Sequence, residues 1–134
     1  MPHCVILYTP NLETKTDVGA LCRKLADRML TIKDEAGKQV FPTGGTRVLA
    51  YPAAHYAVAD GKDVYGFMYI NVRMGAGRSS EVQQKAGDRL LEVVKEHVAP
   101  LFEKELVGVT LQIDESPGQV YDAKHSTLHP LFNK

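Results

Sequence analysis

Residues 64–74 read VYGFMYINVRM, and this stretch decides the fold. Side chains alternate between the two faces of an extended chain. Tyr65, Phe67 and Tyr69 therefore point one way, and Met68, Ile70 and Val72 the other. A strand that is apolar on both faces needs cover on both. Whatever packs against one side, something else has to close the other.

Working back from this strand, ADGKD (59–63) is a turn, and its Asp60-Gly61 pair favours a tight hairpin. That turn leads back into RVLAYPAAHYAV (47–58), a strand weakened or bulged at Pro52. FPTGGTR (41–47) is a loop, in which Pro42 restricts the chain and Gly44 and Gly45 loosen it. Before it, Val18, Leu21, Cys22, Leu25, Met29 and Ile32 recur at three- and four-residue steps and predict an amphipathic helix over 14–32. DEAGKQ (34–39) ends that helix, with Gly37 as the stop. HCVILYT (3–9) is a further strand buried on both faces.

In the other direction, GAGRSSEVQQ turns the chain into a second helix, with Ser80 and Gln83 at the spacing of a capping box. Its buried face runs through Val82, Ala86, Leu90, Val93, Val94, Val98, Leu101 and Phe102, and Pro100 should kink it or end it early. LVGVTLQIDE (106–115) is the fourth strand. The order is β-α-β followed by β-α-β, with helices of similar length. This predicts an α+β fold in which two such units form a four-stranded mixed sheet with both helices on one face. The other face is left for a second copy of the chain. The extended arm of residues 116–134, with its isolated Leu131-Phe132 pair, fits the same idea.

Composition narrows the function. The 134 residues suit one domain spanning 1–134. Apolar residues make up 44%, charged residues 24%, and 16 Lys+Arg balance 16 Asp+Glu, so the net charge is zero. A nucleic-acid binder would be basic. No apolar run approaches the roughly 20 residues of a membrane span, and the start lacks a signal peptide's basic and apolar regions. The expected compartment is the cytoplasm, where Cys4 and Cys22 remain free thiols packed as small apolar groups.

Three residues stand out chemically. Pro2 carries a secondary amine once Met1 is removed, which is usual before a small residue, and a strand that starts at residue 3 holds that amine still. Nearby cations lower an amine's pKa, and a neutral amine near physiological pH is a good general base. Arg47 and Arg78 both sit at loop-to-element junctions, where a guanidinium can grip a carboxylate through two hydrogen bonds. GAGRSS fits neither the dinucleotide fingerprint nor the P-loop. Among the histidines, His3 alternates with Pro2 and reads as an interface or structural residue. His55 and Tyr56 read as packing or pocket-wall residues. His125 and His129 are four apart but have no third metal ligand.

The start MPH, the loop FPTGGTR, the turn VADG (58–61), the segment MGAGRSSEVQQKAG (74–87) and the ending LHPLF (128–132) together resemble one family over nearly the whole chain. It is the 5-carboxymethyl-2-hydroxymuconate Δ-isomerase family of the tautomerase superfamily. The resemblance implies a cytoplasmic homotrimer with inward-facing sheets, acting in aromatic catabolism without cofactor or metal. It makes Pro2 the catalytic base, moving a proton from the 2-hydroxy group of a dienol polyacid to a distant carbon. It places Arg47 and Arg78 at the positions that bind substrate carboxylates. Leu49, where relatives can carry another arginine, and YPAAHY (51–56) depart from the family pattern and bear on substrate preference. The same resemblance admits another N-terminal-proline reaction, such as a phenylpyruvate-type tautomerase, a dehalogenase or a decarboxylase. A non-catalytic trimeric module that binds a small ligand is the reading from another class.

Overall fold

The computed structural model describes residues 3–132, so Pro2 lies outside the described residues. Four strands, β1 (His3–Tyr8), β2 (Val48–Pro52), β3 (Tyr65–Met74) and β4 (Leu106–Glu115), form one sheet in the order β2-β1-β3-β4. β1 runs parallel to β2 and β3 parallel to β4, while β1 and β3 are antiparallel at the centre. Each parallel pair is joined by a helix, α1 (Val18–Thr31) or α2 (Ser80–Lys104). The expected pair of β-α-β units in a mixed sheet is present.

Both helices cover the same face. Cys4 and Ile6 of β1 and Met68, Ile70 and Val72 of β3 are fully buried there, against Leu21, Leu25 and Met29 of α1 and Ala86 and Leu90 of α2. On the other face Leu7, Leu49 and Tyr51 are each about half exposed. Val5, Phe67 and Tyr69 share that face, since the register sets Val5 beside Leu49 and Leu7 between Tyr51 and Tyr69. An apolar sheet face of this kind marks an interaction surface.

Several local expectations are corrected. The segment does turn tightly, but with Ala59-Asp60 at the centre, Gly61 N donating to Val58 O at 3.1 Å, and β2 and β3 are not a hairpin. β1 lies between them, so residues 53–64 are a connection that crosses the end of β1, where Ala53 N donates to Tyr8 O at 2.8 Å. β2 stops at Pro52 instead of running to residue 58, because proline has no N–H to continue the ladder. α1 begins at Val18, where Asp17 Oδ1 accepts from Ala20 N at 2.9 Å. It ends at Thr31, one residue short of the expected 32, and Gly37 at φ +80°, six positions on, serves a separate turn rather than stopping the helix. The helices are unequal, 14 residues against 25. α2 passes through Pro100 to Lys104, with the buried Leu101 anchoring its last turn to the core. Phe102, one position further round, falls off the buried stripe and is exposed. No helix is long and apolar enough to cross a membrane among the described residues.

The N-cap of α2 is Ser79, not Ser80. Ser79 Oγ accepts from Val82 N at 3.2 Å and donates to Glu35 Oε2 at 2.7 Å. Gln83 does not complete a capping box, since its amide donates to Glu115 at 2.7 Å. Ser79 stands one residue before the helix, where its hydroxyl can accept from a first-turn N–H that has no partner within the helix. Ser79→Ala should lower unfolding stability by about 1 kcal/mol. Ser80→Ala should leave it nearly unchanged, and urea unfolding midpoints compare the two.

The arm after β4 has no regular structure until α3 (His129–Phe132). It folds back on its own chain, against the Thr43–Gly45 turn, so closely that a Cβ on Gly44 would stand 3.2 Å from His129 Cα.

Candidate active site

The topology gathers the start of β1 and the Arg47 and Arg78 junctions at one end of the sheet. β1 starts there, with His3 opposite Arg73 near the end of β3. Because β2 is parallel to β1, it starts at the same edge, and Cys4 N donates to Arg47 O at 2.9 Å. Because β3 is antiparallel to β1, it ends at this edge, and residues 75–79 turn directly into α2. Arg78 lies in that turn. The start of β1, the Arg47 junction and the Arg78 junction thus belong to one end of the sheet, although the sequence separates them widely.

The two arginines are held differently. Arg78 is about a quarter exposed; its Nη1 donates to Asp34 Oδ2 and its Nη2 to Val40 O, each at 3.2 Å. Both acceptors belong to the loop that leaves α1. That loop is anchored by Phe41, which is fully buried and contributes about 1.5–3 kcal/mol by its burial. Arg47 Nε donates to Gly45 O at 3.3 Å. Arg47 lines a groove walled by Ala26 and Leu30 of α1 and by Leu128 and Phe132 of the arm. Arg78 is not among the residues that line that groove.

Asp34 supports this edge and escaped the sequence reading. Its Oδ1 accepts from Ala36 N and Lys38 N, both at 2.9 Å. The Lys38 N–H chiefly, helped by the Ala36 N–H and the Arg78 charge, holds its carboxyl below the usual aspartate range. A lowered carboxyl stabilises the folded state above its unfolded pKa, and that contribution is lost as pH falls through the folded value. The Asp34–Arg78 tie is therefore intact at neutral pH. The sequence signal was present in the Asp-x-x-Gly of DEAGKQ, which reads as a turn capped by its own aspartate.

The remaining candidates lie elsewhere. His3 stands on the open face by alternation with the buried Cys4. Tyr56 lines a shallow apolar groove with Leu7, Phe67 and Tyr69. That groove is at the far end of β1 from the arginines, and His55 is exposed beside it. No group of three His, Cys, Asp or Glu side chains that could hold a metal ion occurs among the described residues, around His125 and His129 included. Cys4 and Cys22 are free thiols, and burial pushes the Cys4 thiol up to about 12, which leaves it inert as a nucleophile.

This arrangement of sheet and helices has counterparts. A family model described as 5-carboxymethyl-2-hydroxymuconate isomerase matches residues 2–132. The chain belongs to the 5-carboxymethyl-2-hydroxymuconate isomerase family. The Escherichia coli 5-carboxymethyl-2-hydroxymuconate Δ-isomerase is 30% identical over 132 residues, covering 98% of this chain and 99% of its own. A crystal structure of a 5-carboxymethyl-2-hydroxymuconate Δ-isomerase is 54% identical with a TM-score of 0.94, over 100% of this chain and 94% of that one. The 5-carboxymethyl-2-hydroxymuconate isomerase from Deinococcus radiodurans R1 is 31% identical with a TM-score of 0.84, over 99% of this chain and 95% of that one. The isomerase family and its tautomerase-like fold, expected from the quoted motifs, are those found.

Proposed function

We propose that this chain is a cofactor-independent cytoplasmic isomerase that converts a 2-hydroxymuconate-type dienol, 5-carboxymethyl-2-hydroxymuconate, to its conjugated 2-oxo isomer. The observation that carries this reading is the convergence of the β1 start with the Arg47 and Arg78 junctions at one sheet edge. Pro2, freed of Met1, is the base. Its neutral amine takes the 2-hydroxyl proton as the C=O bond forms, the double bonds shift along the chain, and the proton is returned to a distant carbon. One O–H bond is lost and one C–H bond gained, with no net redox change. One arginine polarises the oxygen where negative charge develops, and the other grips a distal carboxylate.

The working unit in this reading is a homotrimer, as the sequence resemblance implies. The uncovered face bearing Leu7, Leu49, Tyr51 and Tyr69 supports association. So does the separation of Arg78 from the Arg47 groove, which a neighbouring copy would complete. The test joins three measurements on one preparation. Intact mass should show the loss of one methionine, light scattering should give three chains, and the ultraviolet band of the dienol substrate should decay on adding the protein. A retained Met1 together with full activity would remove Pro2 from the mechanism, and no decay at all would remove the reaction.

A further inference from the structure

The loop that leaves α1 is tied to the start of α2 by several side chains. Arg78 reaches Asp34 and the Val40 carbonyl. Ser79 reaches Glu35, and Lys85 Nζ donates to Lys33 O at 3.1 Å. Within this set the two oxygens of Asp34 have separate tasks. Oδ1 accepts from Ala36 N and Lys38 N and shapes the turn. Oδ2 accepts from Arg78 Nη1 and reaches across to the other unit. Asp34 is 16% exposed and Arg78 28%, so the pair is shielded enough to hold one geometry.

We propose that Asp34 is a positioning residue for Arg78: its Oδ2 and the Val40 carbonyl fix the plane of the guanidinium and leave its other N–H groups for a substrate carboxylate. The inference rests on the reading of Arg78 as a substrate-binding residue. A carboxylate beside Arg78 has two opposed effects. It partly cancels the positive charge that attracts an anionic substrate, and it removes the rotational freedom of a long side chain before the substrate arrives. If cancellation dominated, removing the Asp34 charge would improve the enzyme. If orientation dominates, removing it harms the enzyme. The shared grip of side chain and backbone carbonyl on two different nitrogens favours orientation, since it fixes a plane and not merely a distance.

Asp34→Asn separates the two tasks. The amide oxygen can replace Oδ1 toward Ala36 and Lys38, while the amide NH2 then faces Arg78 donor to donor. The turn survives and the grip is lost. Steady-state decay of the dienol band should show kcat/KM lower by about tenfold. Arg78→Ala alone should lose about a hundredfold, and Asp34→Asn in the Arg78→Ala background should cost nothing more. Should Asp34→Asn misfold, Asp34→Ser keeps a turn-capping oxygen without the second one, and it should give the same tenfold loss. An unchanged or raised kcat/KM in Asp34→Asn, or an equal loss in the Arg78→Ala background, overturns the role of Asp34 while leaving the active-site reading intact. An inactive wild type overturns the active-site reading, and this role with it.

Discussion

Replacing Pro2 with leucine should abolish most of the isomerase activity, by about 10²–10⁴-fold in kcat. The reason lies at the nitrogen. A large second residue leaves Met1 in place, so the nitrogen at position 2 becomes an amide and cannot accept a proton. Pro2→Ala is the graded control: Met1 is still removed, but the amine is primary, less basic than proline's and free to rotate, so an intermediate loss is expected. The fold should survive both changes, because the described core begins at Cys4 and Ile6, which are fully buried. Mass spectrometry, circular dichroism and stopped-flow decay of the dienol read the three parts. Full activity in Pro2→Leu with Met1 retained would show that the proton moves by another route.

The second large effect is expected at Arg47. Arg47→Ala should lower kcat/KM by about 10²-fold, and Arg47→Lys should recover only part, since an ammonium cannot present two parallel donors. A pH profile adds a readout specific to the proposed chemistry. The base acts when neutral, so the rate should rise with pH through the amine pKa, which for an unperturbed α-amine is about 7.7–8.0. A cation at the same sheet edge disfavours the protonated amine and lowers that pKa. Removing the Arg47 charge should therefore move the acidic limb of kcat/KM toward higher pH. A tenfold or larger loss with no movement of the limb would leave Arg47 as a binding group remote from the base.

Much of the architecture was legible because it rests on period. Alternation in residues 65–74 and three- and four-residue spacing in α1 and α2 are local consequences of backbone geometry, and the helices and strands fall close to where these patterns put them. What failed locally was punctuation. Residues 58–61 turn tightly but make no hairpin, because turn chemistry cannot say which strand will slip between its neighbours. Ser79 rather than Ser80 caps α2, and its hydroxyl also donates to Glu35, a partner 44 positions away that no local spacing reveals. Phe102 matched the apolar spacing and is still exposed, because it lies one position round from the buried Leu101 and off the stripe that faces the core.

The candidate site divides the same way. Pro2, Arg47 and Arg78 were nameable from the sequence, because a terminal proline and junction arginines carry their chemistry wherever they are. By itself the sequence determined the elements, their order, the two-faced apolar sheet and the motifs that point to the isomerase family. Only the tertiary structure decided that β1 enters between β2 and β3, which brings the three junctions to one edge. It also decided that Asp34 grips Arg78, and that the C-terminal arm folds back onto Thr43–Gly45. The physical reason is range. Periodicity and turn propensity act over a few residues, whereas strand order and cross-loop ion pairs are set by which distant surfaces can be buried together.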